Sequence, residues 1–295
     1  MTKVLLLGKF GQLGWELHRA LAPLGEIRAV DYPEINLLEP EKLVDMIRSF
    51  KPDVIINATA YTAVDQAEIE PEIAEAINSI APGYFAGLAK ETHSAIIHYS
   101  TDYVFDGELG RPYNEDDQPN PLGVYGASKL SGENRIMNAD PAYLIFRTSW
   151  VYSLRRASFV TKVLDWARSQ TELKIVDDQV SNPTWCRMLA EATSLVLAQA
   201  GNDPVGWINE RRGLYHLAGD GYTSRLSWAR KILDNDPLHE QQISRRILAA
   251  KTSDYPTPAR RPLFSALNCE KFTQTFALTL PPWQVALELA MNQGG

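Results

Sequence analysis

The feature that most constrains the fold is a series of short apolar runs, each followed by a longer segment with helical spacing. These runs cover residues 4–7, 27–30, 54–56, 95–99 and 143–146. Apolar strands that alternate with helices are typical of a buried parallel sheet assembled from βαβ units. The sequence therefore predicts an α/β fold with a doubly wound parallel sheet.

The composition narrows the classes of function. The 29 basic and 36 acidic residues give a net charge of −7, which argues against nucleic acid as a partner. No apolar run is long enough to cross a membrane. The two cysteines, Cys186 and Cys269, form no CxxC motif, so we expect neither a disulfide framework nor a cysteine-based metal site. A cytoplasmic location is the simplest interpretation.

A glycine-rich segment, GKFGQLG at 8–14, links the first apolar run to the first helical pattern. Its spacing places Gly8, Gly11 and Gly14 where a Rossmann-like fold needs a tight turn and a close approach to a pyrophosphate. The following helix N-terminus would offer free N–H groups to the phosphates. An ordinary strand-to-helix turn is the alternative, but Asp31 at the end of the second run favours a dinucleotide site.

Asp31 also bears on which dinucleotide is bound. A carboxylate at the end of the second strand can accept hydrogen bonds from the adenosine ribose, which favours NADH. A cation nearby, with Lys9 and Arg28 as candidates, would favour NADPH instead. The sequence does not decide between NADH and NADPH.

The second half of the chain alternates less regularly. Segments near 172–177 and 213–218 are predicted strands that return to the main sheet, and the proline-rich segment 255–262 is predicted to be extended. We expect an NAD(P)-binding Rossmann domain at residues 1–150 and a smaller C-terminal α/β domain at residues 151–295, mainly for substrate.

Three polar residues suggest the type of reaction that the site catalyses. Thr101 follows the fourth predicted strand, and ligands of doubly wound sheets bind at the carboxyl ends of strands. Tyr125 and Lys129 are four residues apart at the start of a predicted helix and therefore share one face. An ammonium beside a phenol should lower the pKa of the phenol. This set predicts general acid catalysis, in which Tyr125 protonates a carbonyl oxygen that Thr101 also contacts.

Six segments together resemble one family of extended short-chain dehydrogenases/reductases, the dTDP-4-dehydrorhamnose reductase family. They are GKFGQLGWEL at 8–17, NATAYTAVDQAE at 57–68, HYSTDYVFDG at 98–107, YGASKLSGE at 125–133, FRTSWVY at 146–152 and YPTPARRP at 255–262. The resemblance extends over nearly the whole chain. The last segment is more specific than the others, since generic relatives lack it.

The resemblance implies reduction of the C4 ketone of dTDP-4-dehydro-β-L-rhamnose by NADPH or NADH, the last step to dTDP-L-rhamnose. It implies that Tyr125 is the acid, Lys129 its partner and Thr101 the third catalytic residue. Asp102 and Trp150 would line the sugar pocket, and a core aromatic is the alternative for Trp150.

The resemblance also implies the remaining binding residues. The implied cofactor-binding set is Gly8, Gly11, Gln12, Leu13, Gly14, Asp31, Ala60, Tyr61, Thr62, Tyr125 and Lys129. Arg260 would face the substrate diphosphate with Arg261 as a helper, and a surface role is the alternative for both.

The sequence departs from the family pattern at several positions. Ser181 stands where the family loop usually has glycine, and the loop must rearrange if that position needs a positive φ. Some members form a dimer bridged by Mg²⁺ through glutamates. Glu16 fits one such position, but Arg187 and Gln293 stand at others. A cation cannot be a Mg²⁺ ligand, so we predict no bridging metal and leave monomer or homodimer open.

Two alternatives to the reductase remain. One is a sister sugar-nucleotide ketoreductase, epimerase or dehydratase. The dehydratases carry Asp-Glu after the strand-end threonine, where this chain has Asp102 and Tyr103. The other is a non-catalytic nucleotide-binding subunit, because the regulatory subunit of methionine adenosyltransferase resembles the same family. The presence of Thr101, Tyr125 and Lys129 favours an enzyme.

Overall fold

The computed structural model describes residues 1–39 and 41–292. Its strands are β1 (Thr2–Leu7), β2 (Gly25–Val30), β3 (Val54–Asn57), β4 (Ala95–Thr101), β5 (Ala142–Thr148), β6 (Val151–Tyr152), β7 (Glu172–Val176), β8 (Val180–Ser181), β9 (Thr184–Trp185), β10 (Gly213–His216), β11 (Thr223–Ser224) and β12 (Arg246–Ala250). Its α-helices are α1 (Gln12–Ala20), α2 (Glu41–Phe50), α3 (Val64–Ala67), α4 (Pro71–Glu75), α5 (Ala81–Glu91), α6 (Val124–Ala139), α7 (Phe159–Ser169), α8 (Cys186–Gln199), α9 (Pro204–Glu210), α10 (Arg225–Asp234), α11 (Glu270–Phe276) and α12 (Trp283–Met291).

Six strands form the central sheet in the order β10-β5-β4-β3-β1-β2, and every neighbouring pair is parallel. After β2 the chain crosses to the other side of β1 and continues with β3. This reversal of strand order opens a crevice at the carboxyl ends of β1 and β3, where doubly wound sheets bind ligands. The predicted α/β fold with a doubly wound parallel sheet is confirmed.

Both faces of the sheet are covered by helices. Leu5 of β1 packs in one core cluster with Phe85 of α5. The next residue, Leu6, packs in the opposite cluster with Leu17 of α1 and Leu189 of α8. Successive residues of a strand point to opposite faces, so an apolar run is what a sheet covered on both sides requires.

The two strands expected to return to the sheet behave differently. β10 joins the sheet beside β5, as predicted. The strand near 172–177 forms as β7, but the expectation that it returns to the main sheet is wrong, because it pairs with β12 instead. In β7, Leu173 and Ile175 are buried while Lys174 is exposed. A strand with only one apolar face cannot lie inside a sheet that is covered on both faces.

The β7–β12 pair belongs to a second packed region, which we name the second lobe and define by β6, α7, β7, α10, β12 and α12. Its core gathers Val160, Leu173, Trp228 and Leu287 from four of these elements. The division of the chain at residue 150 stays a prediction. None of the described helices is long and apolar enough to span a membrane.

Candidate active site

The glycine turn between β1 and α1 is tightly folded. Gly8 has a φ of +93°, and its N–H donates to the Val30 carbonyl at 2.9 Å. A Cβ atom on Gly14 would lie 1.9 Å from the Gly8 carbonyl oxygen, so only glycine lets α1 begin this close to the strand. Gly11 caps α1 without a side-chain hydrogen bond. The open first turn suits a phosphate group, as expected from the sequence.

A cavity of about 1010 Å³, which we call the first cavity, starts at this turn and follows the carboxyl ends of the strands. The predicted site residues that line it are Gly8, Gly11, Gln12, Leu13, Asp31, Ala60, Thr62, Thr101, Asp102, Tyr125, Lys129 and Trp150. Its size is at the upper end of the range for small-molecule sites. The structure thus brings together residues that are far apart in the sequence.

Three predicted site residues do not line the first cavity. Gly14 packs against the turn beneath it. Tyr61 points its hydroxyl to Glu70, to which it donates a hydrogen bond at 2.7 Å. Arg260 is exposed and lies in a narrow crevice that Tyr125 and Gly126 also line.

Asp31 is held firmly at the edge of the first cavity. Its carboxylate accepts the N–H groups of Phe10 and Tyr32, both at 2.8 Å. The two cations considered for a cofactor 2′-phosphate are placed less favourably. Lys9 forms an ion pair with Glu34, and Arg28 lies on exposed β2 surface outside the cavity.

Several polar atoms in the wall of the first cavity have no hydrogen-bond partner among the described residues. They are Gln12 Oε1, Ser100 Oγ and Thr148 Oγ1, and all three are buried. Buried polar atoms are almost always hydrogen-bonded in proteins, so these atoms fit a bound polar ligand. Together with the glycine turn, they match what a dinucleotide requires.

Thr101 and Tyr125 meet in the first cavity. Thr101 ends β4, where its Oγ1 accepts the Tyr103 N–H at 3.1 Å and donates to Asp102 Oδ1 at 3.2 Å. Tyr125 lies in the first turn of α6 and is half-buried in the cavity wall. Burial raises the pKa of Tyr125 well above its usual value, and the Thr101 hydroxyl opposes this shift through a hydrogen bond.

Lys129 does not lower the pKa of Tyr125, so that sequence-based expectation is wrong. The Lys129 ammonium donates instead to the Tyr99 carbonyl at 2.6 Å, and it lies 3.3 Å from His98 Nε2. Both partners are on β4, against which α6 packs. Burial lowers the pKa of Lys129 to about 8, and nearby Glu133 opposes the shift.

Asp102 is a buried carboxylate surrounded by hydroxyl groups. Its Oδ2 accepts hydrogen bonds from Ser265 Oγ at 2.5 Å and from Ser181 Oγ at 3.1 Å. Burial raises the pKa of Asp102 to about 6, while the hydroxyls of Ser265, Ser181 and Thr101 oppose the rise. Ser181 lies in β8 without a positive φ, so the loop does not need glycine there.

A second cavity, of about 760 Å³, adjoins the first and lies against the second lobe. Arg225, the first residue of α10, lines both cavities. Its guanidinium lies 3.6 Å from the ring centroid of Trp150, which in turn stacks on Trp228. Trp150 therefore belongs both to the cavity wall and to an aromatic cluster. No motif marks Arg225 in the sequence, since its position depends on how α10 packs.

Other residues singled out in the sequence lie away from the first cavity. Arg261 forms an ion pair with Asp65 at 2.6 Å and lines the second cavity. Arg187 pairs with Glu191 at 2.8 Å. Gln293 lies outside the described residues. Within 1–39 and 41–292, no group of three or more His, Cys, Asp or Glu side chains is arranged to hold a metal ion.

Comparisons with known proteins agree with this geometry. The family model described as the RmlD substrate binding domain matches residues 1–294. The dTDP-4-dehydrorhamnose reductase of Escherichia coli K12 is 42% identical over 299 residues, covering 98% of this chain and 97% of that protein.

Two solved structures are similar over nearly their whole length. A dTDP-4-dehydrorhamnose reductase from Clostridium acetobutylicum superposes with a TM-score of 0.88 at 31% identity, covering 98% of both chains. The Bacillus anthracis reductase, solved in complex with NADP, gives a TM-score of 0.87 at 29% identity, covering 98% of this chain and 99% of that chain.

Proposed function

Because the chain belongs to the RmlD substrate binding domain family, whose relatives include dTDP-4-dehydrorhamnose reductases, we propose that it is an enzyme with that activity. It reduces the C4 ketone of dTDP-4-dehydro-β-L-rhamnose to dTDP-L-rhamnose, with NADPH or NADH as cofactor. The observation that carries this proposal is the convergence of Thr101, Tyr125 and Lys129 on the cavity that starts at the glycine turn.

The dinucleotide would lie along the first cavity. Its pyrophosphate would meet the open first turn of α1 beside Gly11 and Gln12, and its adenosine ribose would meet Asp31. When bound, the reduced nicotinamide supplies the hydride. The B. anthracis relative was solved with NADP, and the Asp31 carboxylate is compatible with NADH, so both cofactors are included.

Tyr125 acts as the general acid. Its raised pKa keeps the proton on the phenol at neutral pH, so the group is ready to protonate the developing alkoxide. Thr101 lines the same wall of the first cavity and would contact the carbonyl oxygen that Tyr125 protonates. Lys129, one helical turn away, remains mostly protonated at pH 7 with a pKa of about 8, and its ammonium would hold the ribose hydroxyls of the cofactor.

The sugar would occupy the part of the first cavity between Asp102 and Trp150. Asp102 offers a carboxylate for the sugar hydroxyls, and Trp150 offers a flat apolar face. Arg260 as a diphosphate ligand stays a prediction.

We also propose a cytoplasmic location, which the two free thiols support. Monomer or homodimer, without a bridging metal, remains a prediction.

The decisive experiment mixes the protein with the 4-keto-6-deoxy sugar nucleotide, its 3,5-epimerase and NADPH or NADH, and follows the absorbance of the reduced nicotinamide. Oxidation that requires both the epimerase and Tyr125 supports the proposal, with Tyr125→Phe as the inactive control. Oxidation without the epimerase would indicate a sister ketoreductase. Tight cofactor binding without oxidation would indicate a non-catalytic subunit.

A further inference from the structure

Arg225 occupies an unusual position between the two cavities. It begins α10, where Ser224 caps the helix by accepting the Ser227 N–H at 3.1 Å. Its own N–H donates to the Gln179 carbonyl at 3.1 Å, which fixes the backbone. The side chain lines the first cavity on one side and the second cavity on the other. A ligand that fills both cavities must pass this guanidinium.

Aromatic rings hold the Arg225 guanidinium in place. Its Cζ atom lies 3.6 Å from the ring centroid of Trp150, 4.8 Å from that of Phe159 and 5.5 Å from that of Trp228. Contacts with ring faces orient a guanidinium without using its N–H groups. The N–H groups therefore stay available for a hydrogen-bonding partner.

Arg225 forms no ion pair with the described residues, and the Asp102 carboxylate acts on it only from beyond ion-pair distance. Among the described residues, no carboxylate lies within ion-pair distance of its side chain, whereas Arg261 is paired with Asp65. Burial lowers the pKa of Arg225 to about 10, so it remains charged at neutral pH. A half-buried cation without an ion-pair partner costs free energy, and an anionic ligand would offset that cost.

The wall of the second cavity is both basic and aromatic. Its basic side chains are Lys162, Lys174, Arg225 and Arg261, and its aromatic side chains are Phe159, Trp166 and Tyr255. Glu172, the one carboxylate among the described lining residues, is paired with Arg246 at 2.7 Å. Such a wall suits a flat base attached to an anionic group.

We propose that Arg225 binds the diphosphate of the sugar nucleotide, with the sugar in the first cavity and the nucleoside in the second. This inference rests on the proposed function and adds a specificity-determining residue to it. The planar guanidinium can donate two parallel hydrogen bonds to a phosphate, which a lysine cannot do. The assignment competes directly with Arg260, which lines neither of the two cavities.

The test compares binding of dTDP and of thymidine, which lacks phosphates, by isothermal titration calorimetry. For Arg225→Met we expect the affinity for dTDP to fall about 10- to 100-fold, while the affinity for thymidine changes little. Arg225→Lys should lose less, because it keeps the charge. The matched control is Arg230→Met, which removes an exposed arginine from the same helix and should change neither affinity.

Two results would overturn the inference. One is an unchanged dTDP affinity in Arg225→Met. The other is a dTDP-specific loss in Arg260→Met that exceeds the loss in Arg225→Met, which would place the diphosphate beside Arg260. An unchanged dissociation constant for NADPH checks that the variants are folded.

Failure of this inference can be told from failure of the proposed function. If the wild type reduces the sugar nucleotide and Arg225→Met keeps its KM, only the role of Arg225 is wrong. If the wild type neither binds dTDP nor oxidises NADPH with the substrate, the proposed function is wrong and this inference with it.

Discussion

The two cavities are built in different ways. The first is formed by the ends of parallel strands and by a glycine turn, so the backbone of the sheet places its residues. The second is formed by side chains such as Phe159, Arg225 and Tyr255, which come from separate elements of the second lobe and its flanking loops. A rigid sheet edge suits the placing of an acid, whereas a wall of long side chains suits recognition. We therefore assign the chemistry to the first cavity and nucleotide recognition to the second.

Asp102 connects the two regions. It follows β4 at the sheet edge, yet its hydrogen-bond donors Ser181 and Ser265 come from the second half of the chain.

Four predictions test this division of roles, and they are ordered by the size of the expected effect.

Replacing Tyr125 with Phe should have the largest effect. Without the phenolic proton, kcat should fall about 100- to 10,000-fold, because general acid catalysis is lost. The dissociation constants of NADPH and dTDP should stay within about twofold, since the cavity keeps its shape. Tyr84→Phe, on the exposed face of α5, is the matched control. A large loss of dTDP binding in Tyr125→Phe would contradict the separation of chemistry from recognition.

Replacing Gly14 with Ala should distort the first cavity and leave the second cavity unchanged. The new Cβ atom would lie 1.9 Å from the Gly8 carbonyl oxygen, so the turn must shift at a cost of about 1–3 kcal/mol or more in the free energy of unfolding. NADPH binding should weaken with it, as measured by titration. Gly87→Ala, where nothing lies within 4 Å of the added atom, should instead stabilise the protein by about 0.4–1 kcal/mol in urea unfolding.

Asp102 should make stability depend on pH. Its pKa rises on folding from 3.8 to about 6, so its stabilising contribution is present below about pH 4 and is lost as the pH rises through 6. Between about pH 4 and pH 7 the free energy of unfolding of the wild type should fall relative to Asp102→Asn by about 2–3 kcal/mol. Urea unfolding at both pH values measures this difference. Parallel pH profiles of the two proteins would contradict the raised pKa.

The two serine hydroxyls that donate to Asp102 should change its pKa to different extents. Each removed hydroxyl should raise the pKa of Asp102 further and cost about 1 kcal/mol of stability. Ser265→Ala should act more strongly than Ser181→Ala, because its hydrogen bond is 2.5 Å rather than 3.1 Å long. The shift in the midpoint of pH-dependent stability measures both effects. A larger shift for Ser181→Ala would reverse this ranking.

Most of the first cavity could be predicted from the sequence. Gly8, Thr101 and Tyr125 lie at positions that strand ends and helix starts dictate, and short-range patterns reveal such positions. The pKa of Tyr125 could not be predicted in this way, because it depends on burial and on Lys129 turning toward Tyr99.

The residues of the second cavity could hardly be predicted from the sequence. Arg225 follows an ordinary helix cap. Its contact with Trp150 joins two residues that are 75 positions apart in the sequence. The sequence pattern predicts the wrong sheet for β7, because a short apolar segment does not identify its partner strand. Both outcomes depend on tertiary packing, which local periodicity does not record.

The most direct test of the division of roles is a double-mutant cycle of Tyr125→Phe and Arg225→Met, measured as kcat/KM for the sugar nucleotide. If one residue supplies the proton and the other holds the diphosphate, the two losses in transition-state free energy should add within about 0.5 kcal/mol. The single variants should then differ in kind, with a lowered kcat for Tyr125→Phe and a raised KM for Arg225→Met. A double variant no worse than Tyr125→Phe alone would contradict the account, because it would mean that Arg225 acts only through the catalytic step.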